Sequence, residues 1–110
     1  MAAGETRVTN VHHLSIILPA KNEEQGLQRT LPALRAAYPD AEIIVVDDGS
    51  TDQTAAIASA LGAIVASHPY SMGNGAAIKR GARTATGEVL VFMDADGQHS
   101  AQHIAALLDK

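Results

Sequence analysis

The stretch EIIVVDDGSTD at residues 42–52 decides the fold, because it joins a continuous apolar run to residues typical of a turn and a helix start. Four β-branched residues in succession, at 43–46, favour a strand that is buried on both faces, as in parallel sheets. Asp47 and Asp48 end the run, and Gly49 with the Ser-Thr-Asp after it is typical of a turn that leads into a helix. The stretch therefore predicts a strand, a loop and a helix, in that order.

Three further apolar runs show the same organisation along the chain. Residues 14–18, LSIIL, are stopped by Pro19, residues 63–66, AIVA, form a weaker run, and residues 88–93, EVLVFM, lead into acidic residues. Each run is short and continuous, as expected of a strand covered on both faces. The sequence thus predicts four strands, and we expect residues 1–12, which lack a pattern, to form a flexible tail.

The segment after the first strand has the spacing of an amphipathic helix. Leucine recurs there at i, i+4 and i+7, starting at Leu27, which places the three side chains on one helix face. Asn22, with Gln25 three residues later, is expected to cap the start of this helix. Pro32 lies inside it and is expected to kink or break it.

Three more helices are predicted from capping and composition. Ser50, with Gln53 three residues later, forms a capping pair before an alanine-rich segment. Residues 75–85, a segment weakened by Gly81, and residues 101–108 are the third and fourth helices. Because parallel strands need crossover connections of this kind, the alternation predicts an α/β fold with a mostly parallel sheet and helices on both faces.

Composition argues against several classes of function. The absence of cysteine excludes a disulfide framework, a thiolate metal cage and a thiol nucleophile. A net charge of −4 and 3% aromatic residues argue against binding to the phosphate backbone or the stacked bases of nucleic acids. No apolar stretch approaches the roughly 20 residues of a membrane span, and the first residues lack the pattern of a signal peptide. We therefore expect a cytoplasmic protein that does not bind nucleic acid.

Acidic pairs follow three of the four predicted strands. The pairs are Glu23 and Glu24, Asp47 and Asp48, and Asp94 and Asp96. In open parallel sheets the carboxyl ends of the strands meet at one edge, which is where ligands bind. Carboxylates in proximity repel one another unless a cation offsets their charge. With Gln98 and His99 beside the last pair, this oxygen-rich set suits Mg²⁺ or Mn²⁺ held against substrate phosphates.

Each motif also has a purely structural interpretation. The segment DGSTD can serve only as a turn and helix start, the segment NEE only as an acidic first helical turn, and His68 as a structural residue. The pair Asp94 and Asp96 indicates function most strongly, because nothing in an apolar strand requires two acids at its end.

Taken together and in this order, the motifs resemble those of family 2 GT-A glycosyltransferases, and most closely the dolichol-phosphate mannose synthase and polyprenyl-phosphate glycosyltransferase group. The resemblance covers residues 13–110. It rests on SIILPAKNEE at residues 15–24, VVDDGSTD at 45–52, GNG at 73–75 with Gly81, and MDADGQH at 93–99. It implies a Rossmann-like GT-A three-layer sandwich, of which residues 13–110 form the nucleotide-sugar-binding half.

The resemblance also implies a nucleoside pocket and a donor. Pro19, Lys21 and Glu23 match the loop that lines the pocket in this family, and Asp48 matches the acid that holds the base. The implied donor is a sugar linked to GDP or UDP, and the implied acceptor is a polyprenyl phosphate at the inner face of the membrane. The acceptor phosphate would itself be the nucleophile of an inverting displacement.

The last motif matches the family's DxD motif, which implies a metal-dependent catalytic site. Asp96 and Gln98 would hold Mg²⁺ or Mn²⁺ against the diphosphate, and Asp94 would contact ribose or metal. The strand-ending acids also resemble those of haloacid-dehalogenase phosphatases, but that motif normally follows the first strand, whereas this one follows the fourth. A dinucleotide-binding Rossmann module would need a Gly-x-Gly-x-x-Gly turn, which residues 19–25 lack.

The family's fold continues beyond the position that matches Lys110, into the part that binds the acceptor. We therefore expect this chain to be a donor half-site, truncated after the fourth strand and helix. An unpaired outer edge on the strand at residues 89–92 would invite pairing with another chain, so a homo-oligomer is expected. The alternative is a non-catalytic nucleotide- or metal-binding fragment that mainly self-associates.

Overall fold

The computed structural model describes residues 13–95 and, by its backbone, the strand at 104–107; the tail expected at residues 1–12 lies outside the described residues. In chain order, the described elements are β1 (Leu14–Ala20), α1 (Glu24–Ala37), β2 (Glu42–Asp48), α2 (Thr54–Ala60), β3 (Ile64–His68), α3 (Asn74–Thr84), β4 (Val89–Phe92) and β5 (Ile104–Leu107). Within these ranges, no helix has the length and the apolar character that a membrane span requires.

The elements form one sheet with the strand order β3-β2-β1-β4-β5. Strands β1 to β4 are parallel to one another, and β5 is antiparallel to β4. The prediction of an α/β fold with a mostly parallel sheet is therefore confirmed. The chain proceeds outward from β1 to β3 and then crosses back to β4 on the other side of β1. The strand order thus reverses between β1 and β4, the kind of position at which open α/β sheets bind ligands.

Helices cover both faces of this sheet. Successive residues of a strand point to opposite sides, so a continuous apolar run places side chains on both faces, and each face is buried by helices. Ile16 and Leu18 of β1 pack in the cluster that includes the leucines of α1 and Ala58 of α2. Ile17 of β1 and Val46 of β2 pack in the second cluster, which includes residues of α3. Burial on both faces explains why the strands are continuous apolar runs rather than alternating ones.

Two predictions about the end of the chain are wrong. Residues 104–107, expected within a helix at 101–108, form β5, in which Ile104 lies opposite Phe92 of β4. A four-residue apolar segment such as IAAL carries no periodicity that distinguishes a buried helix from a strand, and the open edge of β4 selects the strand. Because β5 covers that edge, the argument for a homo-oligomer through an unpaired fourth strand does not hold.

Of the kink or break expected at Pro32, the break does not occur, because α1 runs from Glu24 to Ala37 and includes this proline. Pro32 is exposed, so the main-chain carbonyl that loses its hydrogen-bond partner can face water. Leu31 and Leu34 on either side of it are buried against the sheet. Tertiary packing of this apolar face stabilises the helix across the proline.

Gly81 gives α3 its close approach to the sheet. A Cβ atom at this position would overlap Cγ2 of Ile17 and lie 3.2 Å from Cγ2 of Val46. Gly81→Ala is therefore expected to lower the free energy of unfolding by about 1–3 kcal/mol, although alanine favours a helix interior by about 1 kcal/mol. Urea unfolding followed by circular dichroism measures the change.

The matched control for this substitution lies in the same helix. Gly75 has no atom within 4 Å of an added Cβ, so Gly75→Ala should leave the protein as stable as the wild type or more stable by up to about 1 kcal/mol. A Gly81→Ala protein that unfolds at the same urea concentration as Gly75→Ala would contradict the packing argument.

Candidate functional site

Parallel pairing brings the carboxyl ends of β1, β2 and β4 to one edge of the sheet. Ala20 at the end of β1 lies opposite Asp47 of β2. The main-chain nitrogen of Met93 donates a hydrogen bond of 3.0 Å to the carbonyl oxygen of Ile17, so Asp94 follows β4 beside the end of β1. The acidic loops predicted from the sequence therefore begin at the same edge, next to the point where the strand order reverses.

A groove of about 280 Å³ opens at this edge, between the ends of β1 and β2 and the start of α3. It is lined by residues from three separate segments, which are Pro19, Ala20, Lys21, Asp48, Ser71, Gly73, Asn74 and Ala77. Pro19, Lys21 and Asp48 were assigned to a nucleoside pocket by resemblance. The structure brings these three residues together, although 27 positions separate Lys21 from Asp48 in the sequence.

Glu23, the fourth residue assigned to that pocket, lies beside this groove rather than in it. It lines an adjoining depression of about 370 Å³. The other residues around that depression are Asn22, Glu24, Gln25, Gly26, Arg29 and Asp52. The loop after β1 thus separates two concave surfaces, with Lys21 on one and Glu23 on the other.

Four hydrogen bonds from described residues converge on the carboxylate of Asp48. Its Oδ1 accepts from Nδ1 of His68 at 2.8 Å and from the main-chain nitrogen of Met72 at 2.8 Å. Its Oδ2 accepts from Oγ of Ser71 at 2.9 Å and from the main-chain nitrogen of Gly73 at 3.0 Å. This one side chain therefore ties the end of β2 to the last residue of β3 and to the loop after it.

These contacts set the charge of the site. Burial by itself would raise the pKa of Asp48, but the hydrogen bonds from His68, the two main-chain nitrogens and Ser71 hold it well below its usual range. An ionised carboxylate only accepts hydrogen bonds, so Nδ1 of His68 carries a proton. His68 is 7% exposed, and its contact with Asp48 agrees with the structural interpretation of this histidine.

Gly49 allows the loop after β3 to lie directly on the end of β2. Its φ is +73°, and an added Cβ would overlap the main-chain nitrogen of Ser71 and lie 2.5 Å from the carbonyl carbon of Tyr70. This close approach lets the loop reach Asp48. Sequence reasoning missed Ser71 as a groove residue, because the GNG motif that follows it at residues 73–75 indicates a turn without indicating which strand end the turn approaches.

The two capping pairs predicted from the sequence are wrong, since neither α1 nor α2 has a cap from its own N-cap side chain. Asn22 instead lies at φ +56°, in the left-handed region that asparagine tolerates. Its main-chain nitrogen donates to Oγ of Ser50 at 2.9 Å. Its Oδ1 accepts from the main-chain nitrogen of Thr51 at 2.8 Å. The loops after β1 and β2 therefore bind each other.

The same exchange continues into the first turns of both helices. The main-chain nitrogen of Glu23 donates to Oγ1 of Thr54 at 2.9 Å, and that of Glu24 donates to Oδ2 of Asp52 at 3.4 Å. In return, Oε1 of Glu24 accepts from the main-chain nitrogen of Gln53 at 2.8 Å. Each helix start thus satisfies main-chain donors of the other, an arrangement that we call reciprocal capping.

The structure describes only the first acid of the DxD motif. Asp94 is exposed, and the carbonyl oxygen of Ala95 accepts a hydrogen bond of 3.1 Å from Oγ1 of Thr30, which fixes the chain against α1. Asp96 and Gln98 lie outside the described residues. Within the described ranges, no group of three His, Cys, Asp or Glu side chains could hold a metal ion. The exposed carboxylate of Asp94 has the hard oxygen chemistry that Mg²⁺ or Mn²⁺ requires, and the complete ligand set stays a prediction.

A protein-family model described as glycosyl transferase family 2 matches residues 15–110. The undecaprenyl-phosphate 4-deoxy-4-formamido-L-arabinose transferase of Enterobacter sp. (strain 638) is 33% identical over 115 residues, an alignment that spans 96% of this chain and 35% of the relative. The 4,4'-diaponeurosporenoate glycosyltransferase of Staphylococcus haemolyticus is 38% identical over 96 residues, which span 82% of this chain and 26% of the relative.

Solved structures share the fold. A mannosyltransferase of Pyrobaculum calidifontis, in complex with GDP-Man and Mn²⁺, superposes with a TM-score of 0.73 at 28% identity over 80% of this chain and 28% of its own. Glucosyl-3-phosphoglycerate synthase of Mycobacterium tuberculosis, in complex with Mn²⁺, UDP and glucosyl-3-phosphoglycerate, gives 0.68 at 33% identity over 76% of this chain and 33% of its own. The chain therefore spans about a third of the length of these relatives.

Proposed function

The chain belongs to glycosyltransferase family 2, and on this basis we propose that its groove binds the nucleoside diphosphate part of a nucleotide-sugar donor. The observation that carries the proposal is the convergence of Pro19, Lys21 and Asp48 on one groove beside the reversal of strand order. An ionised carboxylate inside the groove can accept an N–H group of a nucleobase, and the exposed ammonium group of Lys21 can offset phosphate charge. Both chemistries are those that a nucleoside diphosphate requires.

We place the diphosphate towards the loop after β4, where Asp94 leaves the sheet beside β1. Asp94, Asp96 and Gln98 would hold the divalent cation. A bound Mg²⁺ or Mn²⁺ would neutralise the negative charge that develops on the departing nucleoside diphosphate. Support for a cation comes from the two structural relatives, which were each solved with Mn²⁺.

The acceptor that we propose is a polyprenyl phosphate. The support is the name of one relative, an undecaprenyl-phosphate transferase, which is 33% identical to this chain. In an inverting displacement the phosphate oxygen of such an acceptor attacks the anomeric carbon of the sugar while the bond from that carbon to the diphosphate oxygen breaks. No protein nucleophile is needed, so the residues of this chain act by binding and orienting the donor. Transfer would take place at the cytoplasmic face of a membrane.

Titration calorimetry with UDP and with GDP in the presence of Mn²⁺ tests the donor site. We expect saturable binding that EDTA abolishes and that Asp96→Ala weakens by more than about tenfold, since loss of even an outer-shell partner costs a metal site about 10–100-fold. Asp40→Ala is the matched control, because this exposed carboxylate precedes β2 at the opposite edge of the sheet. Binding that survives both EDTA and Asp96→Ala would contradict the metal site, and the lack of binding by either nucleotide would contradict the donor site.

A further inference from the structure

The carboxylate of Asp48 has no acceptor position left for a ligand. An ionised carboxylate offers about four lone-pair positions, and four donors occupy them, two on each oxygen. A nucleobase can therefore donate to Asp48 only if one of these donors leaves. The identity of that donor decides how many hydrogen bonds the carboxylate can offer to the base.

Three of the donors are fixed and one is free to turn. The imidazole of His68 is buried, so it would lose its partner without gaining water. The main-chain nitrogens of Met72 and Gly73 belong to the loop that the close contact with Gly49 holds in place. The hydroxyl of Ser71 belongs to an exposed residue that lines the groove, and it can rotate to donate to water instead.

Resting on the donor site proposed above, we propose that Ser71 occupies the one position on Asp48 that a nucleobase can take, so that the groove selects a base whose pairing edge carries a single imide N–H and no ring nitrogen that accepts. Uracil and thymine present one imide N–H between two carbonyl groups. Guanine presents two adjacent donors, N1–H and the N2 amino group, which together match both oxygens of a free carboxylate. Cytosine presents an amino donor beside a ring nitrogen that accepts, so a cytosine placed on Asp48 would bring the lone pair of that nitrogen against a carboxylate that has no proton to give it.

The oxygen that Ser71 releases is Oδ2, which keeps its bond from Gly73, while Oδ1 keeps both of its donors. One acceptor position therefore faces the groove after release. Uracil fills it without leaving a donor unmatched, whereas guanine leaves one donor without a partner on Asp48. Sites built to match hydrogen-bonding groups discriminate strongly against ligands that leave such groups unpaired. The substrate class that follows is a sugar linked to a uridine or thymidine diphosphate.

Titration of the 110-residue protein with UDP, GDP and CDP in the presence of Mn²⁺ tests this selection. We expect UDP to bind about five- to a hundredfold more tightly than GDP or CDP, which is the range for one unsatisfied group. Ser71→Ala removes the competing hydroxyl and should tighten UDP binding by roughly three- to tenfold while leaving CDP binding unchanged. Ser71→Thr keeps the hydroxyl and should bind UDP like the wild type.

The three nucleotides separate failure of this inference from failure of the donor site. Metal-dependent binding of UDP, GDP and CDP with equal affinity would contradict the proposed selection among bases but would agree with the proposed donor site. Binding of none of them would remove the donor site itself. Weaker or unchanged UDP binding in Ser71→Ala would show that the hydroxyl is not a competitor. Should that variant fail to fold, the comparison of UDP with GDP and CDP on the wild type still decides whether the selection exists.

Discussion

Replacing Gly49 by alanine is expected to lower the free energy of unfolding by about 3 kcal/mol or more. The left-handed conformation at φ +73° costs a residue with a Cβ roughly 1–2 kcal/mol, and overpacking adds about 1–3 kcal/mol. The atoms that the new Cβ would meet belong to the main chain of Tyr70 and Ser71, which cannot turn aside as a side chain can. Equilibrium urea unfolding measures the loss.

Gly73→Ala isolates the conformational part of this effect. Gly73 lies at φ +99° and ψ 162°, a backbone region that essentially only glycine adopts, yet nothing is within 4 Å of an added Cβ, so only a backbone cost of about 1–3 kcal/mol applies. Its main-chain nitrogen, which donates to Asp48, is kept in the variant. If Gly49→Ala is no less stable than Gly73→Ala, the contact between the loop and the end of β2 is looser than described.

Asp48→Asn is the second substitution with a large expected effect, a loss of about 2–5 kcal/mol in the free energy of unfolding, since each buried donor left without its acceptor costs about 1–3 kcal/mol. The amide group replaces one accepting oxygen with a donor, and this donor would face two of the groups that now donate to Asp48. His68 is buried and would have to give up or weaken its bond. Asp40→Asn, at an exposed position, should stay within about 0.5 kcal/mol of the wild type.

The same carboxylate predicts how stability depends on pH. Hydrogen bonds outweigh burial and hold the pKa of Asp48 well below its usual range, whereas the unfolded chain returns it to about 3.9. The stabilisation from Asp48 is therefore complete above about pH 4 and is lost as the pH falls further, because the unfolded state then binds the proton more readily. Wild type should thus lose more stability than Asp48→Asn between about pH 4 and pH 2. Parallel losses in the two proteins would contradict this.

The sequence predicts the first four strands well because a strand that is buried on both faces is a continuous run of apolar residues. The run at 43–46 and the acids after it define β2 almost to the residue, and the parallel sheet follows from the alternation of strands and helices. The segment IAAL at 104–107 is apolar too, but it is too short to distinguish a strand from a buried helix, and the helix predicted there was wrong. The conformation of this segment is decided by its pairing with the edge of β4, which no pattern within the segment indicates.

The candidate site also has a part that the sequence could predict and a part that it could not. Parallel strand ends meet at one edge, so the sequence could predict that the loops after β1 and β2 come together, and the family resemblance assigned Pro19, Lys21 and Asp48 within them to one pocket. It could not predict that Ser71 donates to Asp48, because that bond depends on the loop after β3 folding back over Gly49. The capping pairs failed for a related reason. Local capping rules assume a partner three residues away, whereas the partners of the main-chain nitrogens of Asn22, Glu23 and Glu24 lie 28 to 31 residues away. At the start of α2, Thr54 donates to Asp52 two residues before it, which is also not the predicted pair.

Reciprocal capping has a kinetic consequence for the molecule. The main-chain nitrogens of Glu23, Glu24 and Gln53 gain these partners only after β1 and β2 have paired and brought the two loops into contact, whereas that of Thr54 has a local acceptor in Asp52. The first turn of α1 therefore depends on strand pairing and cannot form early as independent local structure. Once formed, they share their bonds, and a fluctuation that loosens the loop at Asn22 also removes partners from the loop at Thr51. The two loops beside the groove therefore belong to one cooperative unit that opens and closes together.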